Sequence, residues 1–290
     1  MQQALRTDQD VQDAVKALIH GCAPERRAEI DAIWSAYRPE FQLTPDVHEG
    51  ERFILDAGAY RYVRFNHRVL RAFWLAAFIA WEGHRAVHSV LQTGSDPCSA
   101  DFTRFRLLTD AFRTTLASDD PTLEPLPTGI PEPGKYPGAN EPLSQAPAEL
   151  ATLATSWAFL HETRHIRHQQ EGTGAPHGGS RPQCHAEEFS CDEFAARFLI
   201  EHRSRCAQDQ RVDADAVLRK RRNGVAVGMF ALSLMTENHW QASDTHPSVQ
   251  SRMDALRPLL GNNAEDFAMI IGAFMALRCI WPDVPISTFS

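Results

Sequence analysis

The segment His161-Glu162-Thr163-Arg164-His165 sets two imidazoles four residues apart with a carboxylate beside the first. On a helix, residues at that spacing lie on one face about a turn apart, so both rings can reach one tetrahedral metal ion while Glu162 points at a water on that ion. A catalytic zinc needs a third protein ligand and keeps its fourth position for water. Downstream, the stretch from Cys184 to Leu199 contains Glu188 and Asp192, again four apart and on a face with Ala195 and Leu199. Glu188 can complete the site while Asp192 accepts the outer N–H of a ligand histidine. Glu187 is the alternative ligand, but its i, i+4 partner is Cys191, and a thiol is a poorer acceptor than Asp192, which favours Glu188. Cys184 lies one turn before Glu188. A thiolate there could fill the open metal position as a latency switch, or form a separate site with His185. His168 and His177 are expected on a solvated surface, and so is the basic run Arg219 to Arg222.

These side chains need helices to position them. Leu150, Leu153, Ala154 and Trp157 run at helical spacing into His161, with Pro147 and Glu149 as a first-turn signature, and the pattern stops before Gly172. A Gly-rich loop from Glu171 to Pro182 leads to the second metal helix. Ahead of both, residues 119–148 hold eight of the eighteen prolines and keep no apolar period, which reads as a loop or lid. The first forty residues give two amphipathic helices broken at Pro24, residues 52–66 give a hairpin around Gly58, and helices are expected from Asn66 to about His88 and from Asp101 to about Leu116. The apolar runs Ala72 to Trp81, Gly224 to Met235 and Phe267 to Leu277 are too short for a membrane span of about 20 residues and read as buried core helices. The expected fold is mainly α with a small β-hairpin or sheet, around a core of two metal-bearing helices. It divides into an N-terminal helical region (1–118), the Pro-rich segment (119–148) and a core that carries the metal motif (147–290) and packs with 1–118 as one compact domain.

With 37 acidic against 29 basic residues the net charge is -8, which disfavours nonspecific attachment to nucleic acid or to an anionic membrane. The N-terminus lacks the apolar segment of a secretory signal, so a cytoplasmic location is expected. The six cysteines (Cys22, Cys98, Cys184, Cys191, Cys206 and Cys279) form no CxxC pair and are read as reduced thiols.

HETRH followed by EFSCDEFA resembles the HExxH and ExxxD pair of gluzincin-type zinc endopeptidases, among them the CAAX prenyl protease and HtpX-like group and the Lit phage-exclusion peptidases. The segment Asp244 to Arg252, with Thr245-His246-Pro247, is similar to a third motif of that group. The longer metzincin pattern fails, because His168 and Glu171 stand where it requires Gly and His. The prenyl protease membrane spans have no counterpart here, so the Lit-like branch fits better. The resemblance implies that residues 147–290 form a zinc peptidase core with a zincin-like pair of metal-bearing helices, with one Zn2+ per chain on His161, His165 and Glu188, Glu162 as general base, and His246 near the oxyanion. It implies hydrolysis of a specific protein substrate, a setting in stress response or phage defence, and room for an activating or inhibiting protein partner. A metal-binding sensor or interaction module with a structural zinc is the alternative. A deformylase-like amidase is disfavoured, since that family's upstream Cys and Gly motifs are absent.

Overall fold

A helix with no polar face is stable only where neighbours cover it on every side. In the computed structural model, which describes residues 7–46, 52–134, 142–235, 241–261 and 267–282, the run Ala72 to Ala80 is buried throughout. It belongs to the long helix α3. In chain order the elements are α1 (Asp8–Cys22), α2 (Arg27–Tyr37), β1 (Glu40–Leu43), β2 (Leu55–Gly58), β3 (Tyr62–Phe65), α3 (His67–Leu91), α4 (Thr103–Ala117), α5 (Pro142–Glu171), α6 (Arg181–Ile200), α7 (Arg203–Gln210), α8 (Ala214–Met235), α9 (Val249–Leu260) and α10 (Ala268–Ile280). The fold is mainly helical with one small sheet, as the sequence leads one to expect.

Helices α4, α5, α8 and α10 pack around α3. Two of them come very close: a Cβ on Gly83 would lie 2.7 Å from Phe105 of α4 and 3.1 Å from the Ala273 backbone of α10, and one on Gly272 of α10 only 2.9 Å from the His84 backbone. Asn66 starts α3 by accepting a 3.2 Å hydrogen bond from the Val69 amide. One hydrophobic core runs without interruption from Val11 in α1 to Leu277 in α10. No helix among the described residues is long and apolar enough to cross a membrane.

The expected hairpin is β2–β3, joined by the three residues 59–61, of which Ala59 and Tyr60 take positive φ (50° and 60°), the backbone that tight hairpin turns commonly use. The sheet has a third strand that the sequence did not reveal: β1 pairs parallel with β3, giving the order β1-β3-β2. Phe41 of β1 and Phe65 of β3 meet Phe159 of α5 edge-on, with ring centroids 5.5 and 5.1 Å apart, and so seat the sheet against the helix that carries His161.

Four expectations need correction. Helix α5 begins at Pro142, and Pro147 lies within it. Proline favours the first turn of a helix; Pro142 holds that place here, and reading Pro147 as the start set the boundary too late. Of the Pro-rich segment, residues 119–134 are irregular, 135–141 fall outside the described residues and the rest is helical. The irregular part is strapped onto the core: Trp74 Nε1 donates to Pro131 O at 2.7 Å, and Arg71 reaches the Glu124 carbonyl and the Glu132 carboxylate. Cys98 and Cys279 are not reduced thiols but form a disulfide with Cα atoms 5.2 Å apart. The 3-10 turn Pro97–Ser99 and α10 both pack on α3, a juxtaposition that 181 residues of sequence separation conceal. Arg221 is buried rather than solvated, paired with Glu25 and donating to Leu199 O at 2.9 Å, because the basic run wraps round α8 and cannot face one way. His168 is also buried: its ring bridges Thr173 Oγ1 at 2.8 Å and Ser190 Oγ at 3.1 Å, tying α5 to α6. His177 is exposed as expected.

Candidate metal centre

Helices α5 and α6 are joined by residues 172–180 and pack along each other. Small residues permit this, since Ala195 and Ala196 of α6 are fully buried. At the start of α6, Pro182 occupies the first turn and the Ser180 N–H donates to Gln183 Oε1 at 2.9 Å. The packing brings His161, Glu162 and His165 from α5 together with Glu187, Glu188, Cys191 and Asp192 from α6.

Both rings are fixed at their outer nitrogens. His161 Nδ1 donates to Asp192 Oδ1 at 2.9 Å and His165 Nδ1 to Glu187 Oε1 at 2.7 Å. A carboxylate can only accept, so each Nδ1 carries hydrogen and each Nε2 of a neutral ring presents a lone pair. Those two Nε2 atoms are 3.1 Å apart. Glu188 lies against both, with Oε2 3.4 Å from His161 Nε2 and Oε1 3.2 Å from His165 Nε2. Glu188 Oε2 is buried without a hydrogen-bond partner. Three converging electron-pair donors repel unless a cation sits among them, so the donor set fits zinc, which takes imidazole nitrogen, thiolate and carboxylate ligands. The same carboxylates make the pocket attractive to positive charge. Burial opposes charge on both rings, yet the net shift is upward, driven for His161 by Asp192 and Glu188 and for His165 by its partners Cys191, Glu187 and Glu188. Burial would raise the Glu188 carboxyl, but the two histidines and Arg252 carry it well below its usual range.

Glu162, one residue after His161, is partly buried and lines the same cavity as His161 and Glu188. Burial raises its carboxyl pKa, the direction that suits a proton acceptor working near neutrality. His246 lies in the loop before α9 with Nε2 3.6 Å from Glu188 Oε1 and also faces the cavity. The cavity encloses about 390 Å³, and away from the charged groups its walls are Phe53, Leu55, Phe73, Leu232 and Met235.

Three contributors have roles that the sequence reading did not assign. Arg252 of α9 grips Asp192 with two hydrogen bonds, 2.7 and 2.6 Å, and so braces the carboxylate that orients His161. Sixty residues separate the pair, and no periodicity links them. Glu187, weighed only as a rival ligand, instead holds the outer nitrogen of His165. Cys191 joins His161 and His165 in a group whose donor atoms lie within 4.8 Å of one another. Burial pushes its thiol up to about 11, so without a metal it stays protonated at neutral pH. Cys184 is not in that group; its Sγ lies 3.8 Å from Gly179 O. His185 donates to Ser243 O at 2.9 Å, fastening the His246 loop to α6.

No curated protein and no solved structure shows significant similarity to the chain. The family model for Peptidase U49 does match, over residues 63–272, a span that starts in β3 and takes in α5, α6, α9 and His246. With that model covering well over half of the sequence, the chain belongs to the Peptidase U49 family and is a peptidase by descent.

Proposed function

We propose that the protein is a zinc-dependent endopeptidase that cuts a specific protein substrate. The observation that carries this reading is the convergence of His161 Nε2, His165 Nε2 and the Glu188 carboxylate, whose Oε2 has no hydrogen-bond partner, with both outer ring nitrogens already committed to carboxylates. Those three residues would hold the ion; bound there, zinc supplies Lewis-acid polarisation of the scissile carbonyl and lowers the pKa of water. Glu162 takes the proton of the attacking water and returns it to the leaving amine. His246 donates from the cavity rim toward the oxygen that gains charge. Asp192, braced by Arg252, keeps the His161 ring from turning. The apolar cavity wall receives a bulky apolar side chain of the substrate next to the bond that is cut. By its likeness to the Lit peptidases we further infer a role in bacterial stress response or phage defence, under the control of a partner protein.

Metal analysis of protein purified without added metal tests this. About one zinc per chain is expected in wild type, in Glu187→Ala and in Glu162→Gln, and none in Glu188→Ala. Glu162→Gln is expected to lose about 10²–10⁴-fold in peptide cleavage with its metal retained. The position of Cys191 favours one second reading, a closed His161/His165/Cys191 site that serves structure only. That reading requires zinc to survive Glu188→Ala, to be lost in Cys191→Ser, and Glu162→Gln to leave function intact.

A further inference from the structure

Glu187 spends its two oxygens on different parts of the molecule. Oε1 accepts from His165 Nδ1 at 2.7 Å, and Oε2 accepts from the Ala175 amide at 2.6 Å. Ala175 belongs to the exposed Gly-rich connection between α5 and α6, so one carboxylate touches both a candidate ligand and a surface loop. The loop fits closely around it. A Cβ on Gly174 would lie 3.2 and 3.4 Å from the two Glu187 oxygens. The Thr173 and Gly174 amides both donate to His168 O, at 3.0 and 3.3 Å, while the His168 ring bridges Thr173 and Ser190. The loop is thus fixed at its root by His168 and at its middle by Glu187.

We propose that Glu187 is a positioning residue that couples the loop 172–178 to His165, so that the loop's placement sets how firmly the imidazole is aimed. This rests on the metal-centre reading for its consequence and on the two hydrogen bonds for its geometry. When Ala175 N–H holds Oε2, the carboxylate cannot rotate, and Oε1 stays on the ring nitrogen. When the loop lifts, Glu187 gains rotamers and His165 loses its fixed partner. Outer partners of metal-bound histidines typically contribute tenfold to a hundredfold in metal affinity. A protein or peptide that seizes the exposed loop therefore weakens the centre without touching a ligand. Because coupling is reciprocal, filling the centre orders the loop in turn.

The test uses the full chain as wild type, Glu187→Ala, Ala175→Pro and Gly174→Ala. Ala175→Pro removes the loop's N–H donor while also fixing φ there, and Gly174→Ala keeps the donor but presses a methyl group against the Glu187 oxygens. Zinc affinity is measured by competition with a chromophoric chelator. In metal-free protein, solvent exchange of the His165 Nδ1–H proton is followed by NMR, and amide exchange at residue 175 by mass spectrometry. Glu187→Ala should weaken zinc about tenfold to a hundredfold and speed exchange at Ala175. Ala175→Pro and Gly174→Ala should speed exchange of the His165 proton and weaken zinc severalfold, with the unfolding midpoint little changed. The coupling is refuted if Ala175→Pro and Gly174→Ala match wild type in both affinity and His165 exchange, or if Glu187→Ala leaves the loop as protected as before. Wild type that binds no zinc removes the metal-centre reading instead, and the two exchange measurements then decide the coupling by themselves.

Discussion

Asp192 is a fully buried carboxylate wedged between a cation and an imidazole, and its charge survives only because of them. Burial alone would raise its pKa, but the Arg252 guanidinium, with His161, carries it below the usual carboxylate range, and Arg252 is itself held more firmly protonated by Asp192. Removing one member of a buried pair leaves the other uncompensated, which costs about 3–5 kcal/mol. Arg252→Leu should therefore destabilise the protein by about that amount in urea unfolding, more than Arg252→Lys, which keeps the charge but loses the two-pronged grip. The consequence extends beyond stability, since Asp192 also aims His161. At this scale the sequence was legible where chemistry is local: His161, Glu162, His165, Glu188 and Asp192 stand at helical spacings that can be read along the chain. Arg252 could not be assigned its partner, because their contact depends on how α9 lies across α6. His168 was misread for the same reason, its burial being decided by the loop that folds back over it.

Helix α5 carries half of the centre and is set in place by its neighbours. Gly224 and Gly228 of α8 face it one turn apart, where a Cβ would run into Leu153 in one case and lie 2.6 Å from the Trp157 ring in the other. Overpacking a tight contact costs about 1–3 kcal/mol. Thermal unfolding of Gly228→Ala should show a loss in that range, and because Trp157 precedes His161 by one turn, zinc affinity should fall with it. At the far end of α5, Tyr37 donates its hydroxyl to Glu171, with Arg167 and Arg164 at 3.5 and 3.7 Å. The Tyr37 hydrogen bond, aided by those charges, lowers the Glu171 pKa. A carboxyl whose pKa is depressed on folding stabilises above its unfolded pKa, and that contribution fades as pH falls through the folded value. The melting-temperature gap between wild type and Glu171→Gln should thus narrow as pH drops from about 6 to about 3. Among the elements, the three long apolar runs announced core helices plainly, and alternation around Gly58 announced the hairpin. Strand β1 did not announce itself, because Glu40-Phe41-Gln42-Leu43 is too short to establish a period and becomes a strand only through pairing with β3.

Across the whole molecule, a single apolar core ties the N-terminal helices to the metal-bearing ones, and the Cys98–Cys279 bond fastens α10 to the turn before α4. Nothing in the spacing of the cysteines foretold that bond, which depends on two distant segments sharing one flank of α3. A native disulfide contributes about 2–4 kcal/mol, chiefly by restricting the unfolded chain. Cys98→Ser should be less stable than wild type by about that amount in denaturant without reductant, and the difference should vanish once dithiothreitol is present. The bond also turns residues 98–279 into a covalent ring that encloses both metal helices, the exposed 172–180 connection and the strap at 119–134. A peptidase that nicks its own chain within that ring stays in one piece. Its autolysis would be invisible on a non-reducing gel, and the two fragments would separate only when the sample is boiled with thiol.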